Sequence, residues 1–146
     1  MSNFVKFYNS STLKSIPKIK IKKAIEKILS DENVFEAELN LIFVDDDKIL
    51  ELNKKYLNHN WVTDVITFPL NEENENLEGE IYISAPTAEK QANEYKVLLK
   101  EELLRLAIHG VLHLTGYNDK TETEKKEMRL KEDYYLEQFY NPKPKI

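Results

Sequence analysis

The stretch that most constrains this chain is residues 101–119, EELLRLAIHGVLHLTGYND. His109 and His113 are four residues apart, so on a helix their rings stand one above the other on a single face. Leu103, Leu104, Leu106, Ala107, Ile108, Val111, Leu112 and Leu114 place apolar residues almost all round that helix, the pattern of a buried one. Gly116 ends it and turns the chain back, bringing Asp119, six residues past His113, within reach as a third ligand. Two imidazoles and a carboxylate on one ion leave a fourth tetrahedral position for water, as in catalytic rather than structural zinc sites. The bland alternative is a pair of hydrogen-bonded core histidines. Two of the chain's three histidines at helical spacing inside one apolar helix argue against it.

The rest of the composition narrows the classes. At 146 residues, 41% of them hydrophobic and without repeats or a linker, the chain reads as one globular domain over 1–146. It has no apolar run long enough to span a bilayer and no signal-peptide pattern at the start, so a cytoplasmic location is expected. It has no cysteine, which excludes both a disulfide framework and a thiolate zinc site. The net charge of −5 argues against nucleic-acid binding through bulk charge alone. Its distribution is uneven, with seven Lys against one Glu in residues 1–30 and three Lys against fourteen acids in 31–80. The basic block (Lys14, Lys18, Lys20, Lys22, Lys23, Lys27) reads as a solvated helix face in preference to a phosphate-facing patch.

Periodicity places the elements. Residues 4–8 read as a strand and 20–29 as a helix; 36–44 alternate and then become continuously apolar, a strand entering the core. Asp45, Asp46 and Asp47 read as a cap on the next helix rather than as a metal cluster; Ile49, Leu50, Leu52, Tyr56 and Leu57 share its apolar face. A loop over 57–61 leads to a strand over 62–69, an acidic hairpin connection over 71–76 and a strand over 79–84. A helix from Pro86 to about Tyr95 precedes the histidine helix, and Thr121 to Glu124 is a capping-box pattern. It opens a last helix through Met128, Leu130, Tyr134, Tyr135, Leu136 and Phe139, and Pro142 and Pro144 end it in a tail. The expected fold is α+β, about five helices packed on a small mixed sheet of about four strands, with the zinc site on a buried helix beside a cleft.

Three blocks then resemble one known family. His109 to Asp119 is similar to the signature of the YbeY rRNA-maturation family of metal-dependent endoribonucleases. Leu52-Asn53 and Tyr56 followed by residues 63–69 resemble its second motif, and residues 79–84 its third. The resemblance spans about residues 36–130 and departs at two positions. Asp119 stands where the family usually has a third His, and Leu57 stands where it usually has an Arg that engages the RNA phosphate. Leu carries neither charge nor donor, so another cation would have to serve, with His59, Lys55 and Arg105 the candidates. Asp64 and Thr67 belong to the motif strand, and Asp64 is expected to hold a ligand ring or simply to enter the strand.

The resemblance implies one Zn2+ per chain on His109, His113 and Asp119, with His109 both ligand and part of the catalytic centre. It implies hydrolysis of single-stranded RNA in ribosomal RNA maturation at the small-subunit 3′ end and in ribosome quality control. The implied partners are ribosomal RNA and the ribosome or proteins associated with it. A non-catalytic ribosome-associated metal-binding factor is the main alternative, because Leu57 removes the family's cation. A zinc metalloprotease is the other. Peptidases with this ligand spacing place a Glu directly after the first His as base, and here that residue is Gly110.

Overall fold

The computed structural model describes residues 2–73 and 75–140. Four strands form one sheet: β1 (Ser2–Asn9), β2 (Glu36–Val44), β3 (Val65–Pro69) and β4 (Leu77–Ser84), in the order β1-β2-β4-β3. The β1–β2 and β2–β4 pairs are parallel, and β3 runs antiparallel along β4. Five α-helices accompany them: α1 (Lys18–Asp31), α2 (Asp46–Leu52), α3 (Ala85–Tyr95), α4 (Leu99–Leu114) and α5 (Glu122–Phe139). The expected α+β architecture of about four strands and five helices is what is found. Pro142, Pro144 and Asn74 of the expected hairpin connection lie outside the described residues.

Alternation divides the sheet into two faces. Ala37, Leu39, Leu41 and Phe43 of β2, with Ile81 and Ile83 of β4, join α1 and α4 in the main core. Val44 and Ile66 point the other way and pack under Ile49 and Leu52 of α2 in a smaller cluster. Helix α4 lies very close to β4. A Cβ on Gly110 would stand 2.7 Å from Ile81 Cγ2, and one on Gly79 would stand 2.8 Å from Leu114 Cδ1. Both contacts are shorter than carbon atoms tolerate, so the helix meets the sheet at glycine distance. Gly110 is therefore a packing residue, and a peptidase-like Glu there would push α4 off the strand.

Two local expectations are corrected, and the aspartate cap is found in position but without its side-chain bond. The helix expected to run through Tyr56 and Leu57 is α2 followed by a π-helical turn, Asn53–Leu57, ended by Asn58 at φ 56°. The wider turn rotates the chain, so Ile49 and Leu52 stay buried while Tyr56 and Leu57 are 58% and 41% exposed. Asp45 occupies the N-cap of α2 without a side-chain capping bond, while Asp46 accepts from Ser84 Oγ and Thr87 Oγ1 and ties α2 to α3. On α5 the Thr121–Glu124 capping box forms, but Leu130 and Tyr134 face solvent. The buried residues of α5 are Met128, Glu132 and Tyr135, a carboxylate inside an apolar stripe.

Candidate metal centre and its cleft

Helix α4 is stopped by a reversal that explains how Asp119 reaches it. Tyr117 N donates to Leu112 O at 3.0 Å and Gly116 N to His113 O at 3.1 Å, with Gly116 at φ 114°. That pair of bonds satisfies two end carbonyls and folds the chain back over the last turn. His109 and His113 present their rings edge to face, 4.5 Å between centroids. Asp119 Oδ2 lies 3.5 Å from His109 Nε2 and 3.4 Å from His113 Nε2.

These two separations bear on what the group could hold. They are longer than N–H···O bonds, which run about 2.7–3.2 Å. They match the edge of a tetrahedron whose ligand bonds are 2.0–2.1 Å, roughly 3.3–3.4 Å. One ligand atom from each residue lies within 4.8 Å of the others, and the three together could hold a metal ion.

Behind His109 stands a chain of buried charges. His109 Nδ1 shares a 2.7 Å hydrogen bond with Glu132 Oε2. Glu132 is 5% exposed, and its other oxygen accepts from Arg105 Nη1 at 3.0 Å. Arg105 Nε donates to Glu102 Oε1 at 2.9 Å, its Nη2 contacts Oε2, and Gln91 Nε2 donates to that same oxygen at 2.7 Å. Glu102 is 1% exposed. A carboxylate on Nδ1 fixes the proton there and leaves the Nε2 lone pair aimed at Asp119, the usual way a ligand imidazole is oriented. Burial pushes His109 down, but the bond to Glu132 and its charge outweigh this, and Asp64 and Asp119 add to it, so its pKa is raised. Burial pushes Glu132 up, but His109 and Arg105 hold it below the usual carboxylate range.

In front lies an open cleft of about 350 Å³, lined by the three donor residues, by Asn53, Leu57, His59, Trp61 and Thr63, and by Asp64 to Thr67. The three candidate cations separate here. His59 lines the cleft. Lys55 extends over the outer face of Tyr56, 5.3 Å from its ring centroid, and is not part of the cleft wall. Arg105, expected to share the face of His109, is drawn away from the cleft by Glu102 and Glu132. Asp64 lines the cleft, yet its carboxylate takes only a 3.4 Å bond from Thr63 Oγ1, while its backbone oxygen accepts from Ser84 N. The ring-holding role expected of it belongs to Glu132.

Sequence reasoning passed over Glu132 and Glu102, and gave Asn53 only as part of a motif block, without its role. The signal for the first two was present, since each is an acid where helical spacing calls for an apolar residue. Asn53 is 1% exposed, and its Nδ2 donates to Trp61 O at 2.7 Å.

The comparisons show the family and the fold. The profile of a family described as Endoribonuclease YbeY matches residues 6–140. A protein of that description from Karelsulcia muelleri is 51% identical over 109 residues, covering 75% of this chain and 77% of the relative. One from Chloroherpeton thalassium is 41% identical over 133 residues, 90% of this chain and 94% of the relative. A Thermotoga maritima protein solved in solution superposes with a TM-score of 0.64 at 32% identity, over 94% of this chain and 89% of that one.

Proposed function

This chain belongs to the YbeY endoribonuclease family, and from that premise we propose that it hydrolyses single-stranded RNA at a Zn2+ centre on His109, His113 and Asp119. The observation that carries the reading is the convergence of three donors, Asp119 at ligand-edge distance from both imidazoles, on the wall of an open cleft. When bound, such an ion would supply Lewis acidity, lowering the pKa of water toward roughly 7 and polarising a phosphoryl oxygen. Glu132 keeps the His109 proton on Nδ1, so that Nε2 faces the centre as a lone pair. Arg105 keeps Glu132 in place. Of the three candidates His59 is the one that lines the cleft and can meet a phosphate there, while Leu57 beside it offers no donor. Asp64 adds negative charge to the far wall.

The task we assign is ribosomal RNA maturation at the small-subunit 3′ end, in the cytoplasm and with one ion per chain. The ribosome and its associated proteins are the partners, and quality control of ribosomes is the wider role. The support is the family and the motif blocks. No helix among the described residues is long and apolar enough to cross a membrane. A metalloprotease is disfavoured by Gly110, which has no base to offer and no room for one. Leu57 in the cleft wall favours one second reading, an RNA-binding factor that does not cut. Incubating the full chain with a single-stranded RNA separates them. Cleavage that stops on chelation and returns with Zn2+ supports the enzyme. Binding without cleavage at full metal loading would overturn it.

A further inference from the structure

Trp61 is the chain's one tryptophan, and it sits 58% exposed on the wall of the cleft that holds His109, His113 and Asp119. Left in water, a large indole forgoes the burial by which such rings ordinarily stabilise a fold. It is nevertheless held in place. His59 lies nearly parallel to it, 4.3 Å between centroids and 14° between planes. Both residues hang from Asn53, whose side-chain amide holds Trp61 O at 2.7 Å and whose backbone oxygen accepts from His59 N at 3.0 Å. Asn53 is buried at the start of the π-helical turn, and Asn58 at φ 56° lets the loop double back to stack the rings. Local departures of this kind from the α-helix are frequent at functional sites.

His59 covers one face of the indole. With His59 against it the residue is still 58% exposed and lines the cleft, so much of the ring remains free to meet a ligand. A flat aromatic surface, preorganised beside a centre that acts on phosphodiesters, fits a nucleobase by stacking. We propose that Trp61, backed by His59, is the platform that receives an unpaired base adjoining the scissile phosphate, an inference that rests on the ribonuclease reading above. A base inside a duplex has both faces covered by its neighbours and must first leave the stack, so the platform selects single strands. Every base has a π face, so the selection is tolerant of sequence.

The single tryptophan makes the test direct. Full-length protein, stripped of metal so that nothing is cut, is titrated with a short single-stranded RNA and with an abasic ribose-phosphate chain of equal length. The expected result is quenching of Trp61 emission by the base-bearing strand and little by the abasic one. With a labelled strand read by anisotropy, Trp61→Ala should weaken binding about five- to a hundredfold, and Trp61→Phe should recover most of it. With metal restored, Trp61→Ala should keep its metal content, raise KM on single strands and narrow the preference for single over double strands. Equal quenching by the abasic chain, or unchanged strand affinity and preference in Trp61→Ala, would overturn the platform. Failure of the wild-type protein to cut any RNA would instead overturn the ribonuclease reading, and the metal-free titration would still judge the stack.

Discussion

The two sides of His109 are built on opposite principles. Behind the ring, Glu132 and Glu102 are buried and Arg105 is half-buried between them, so that each charge meets a partner of the other sign. In front, Leu57, His59 and Trp61 are exposed on a loop, and the charge expected of that loop is missing. The rear fixes which nitrogen faces the centre, a task that tolerates no solvent competition. The front has to admit and release a polymer, which a sealed network could not do. The hold on His109 and the open face of the cleft thus belong to separate elements, α5 for the first and the π turn with its loop for the second.

That division can be broken from either side. The largest effect should come from the centre itself. His113→Ala should reduce bound metal to near zero with helix content largely kept, read by elemental analysis and circular dichroism. Full metal stoichiometry in that variant would refute the ligand set. Next comes the rear. Arg105→Met leaves two nearly buried carboxylates without their cation, and unfolding by denaturant should show a loss of about 3–5 kcal/mol. A change under 1 kcal/mol would mean that water reaches the pair. Glu132→Gln keeps the shape but weakens the hold on Nδ1. Metal affinity by competition with a chelator should fall about ten- to a hundredfold, with the fold intact.

The front should respond in rate. Leu57→Arg places a bidentate donor in the cleft wall, and a charge-assisted contact made only in the transition state is worth roughly 1.5–3 kcal/mol, about ten- to a hundredfold in kcat/KM. The rate should also become more sensitive to salt. No gain, together with a loss in His59→Ala, would show that His59 already fills the place. The smallest effect is expected of Asp64→Asn, since no hydrogen bond joins its carboxylate to a ligand ring. Metal affinity close to wild type would confirm that Glu132 alone holds His109, and a loss as large as that of Glu132→Gln would contradict it.

What was legible in the sequence follows the range of the interactions. His109, His113 and Asp119 lie within eleven residues, joined by one helix and one glycine turn, so spacing alone brings them together. The strands and helices were legible for the same reason, from the period of their apolar residues. Glu132 reaches His109 across 23 residues and two packed helices, a tertiary contact that no local period encodes. Its trace was a negative one, an acid where Met128 and Tyr135 mark a buried stripe. Arg105 was misplaced because position on a helix gives a direction for Cβ and not for a guanidinium 6 Å further out, which follows its partners. The π turn was hidden because Tyr56 and Leu57 extend the apolar pattern of α2 and so read as its continuation.

The glycine contacts between α4 and β4 bear on how the site fails. Gly79 makes a notch in the strand for Leu114, and Gly110 makes a notch in the helix for Ile81. Two notches facing in opposite directions block both sliding and rolling of the helix. His109 and His113 sit on either side of Gly110, so they move only as β4 moves. Amides of α4 around Gly110 and of β4 around Ile81 then belong to one exchange unit, opening near the free energy of global unfolding. His109 and His113 are thus tied to the sheet through Gly110, while Asp119 lies beyond the turn that ends α4.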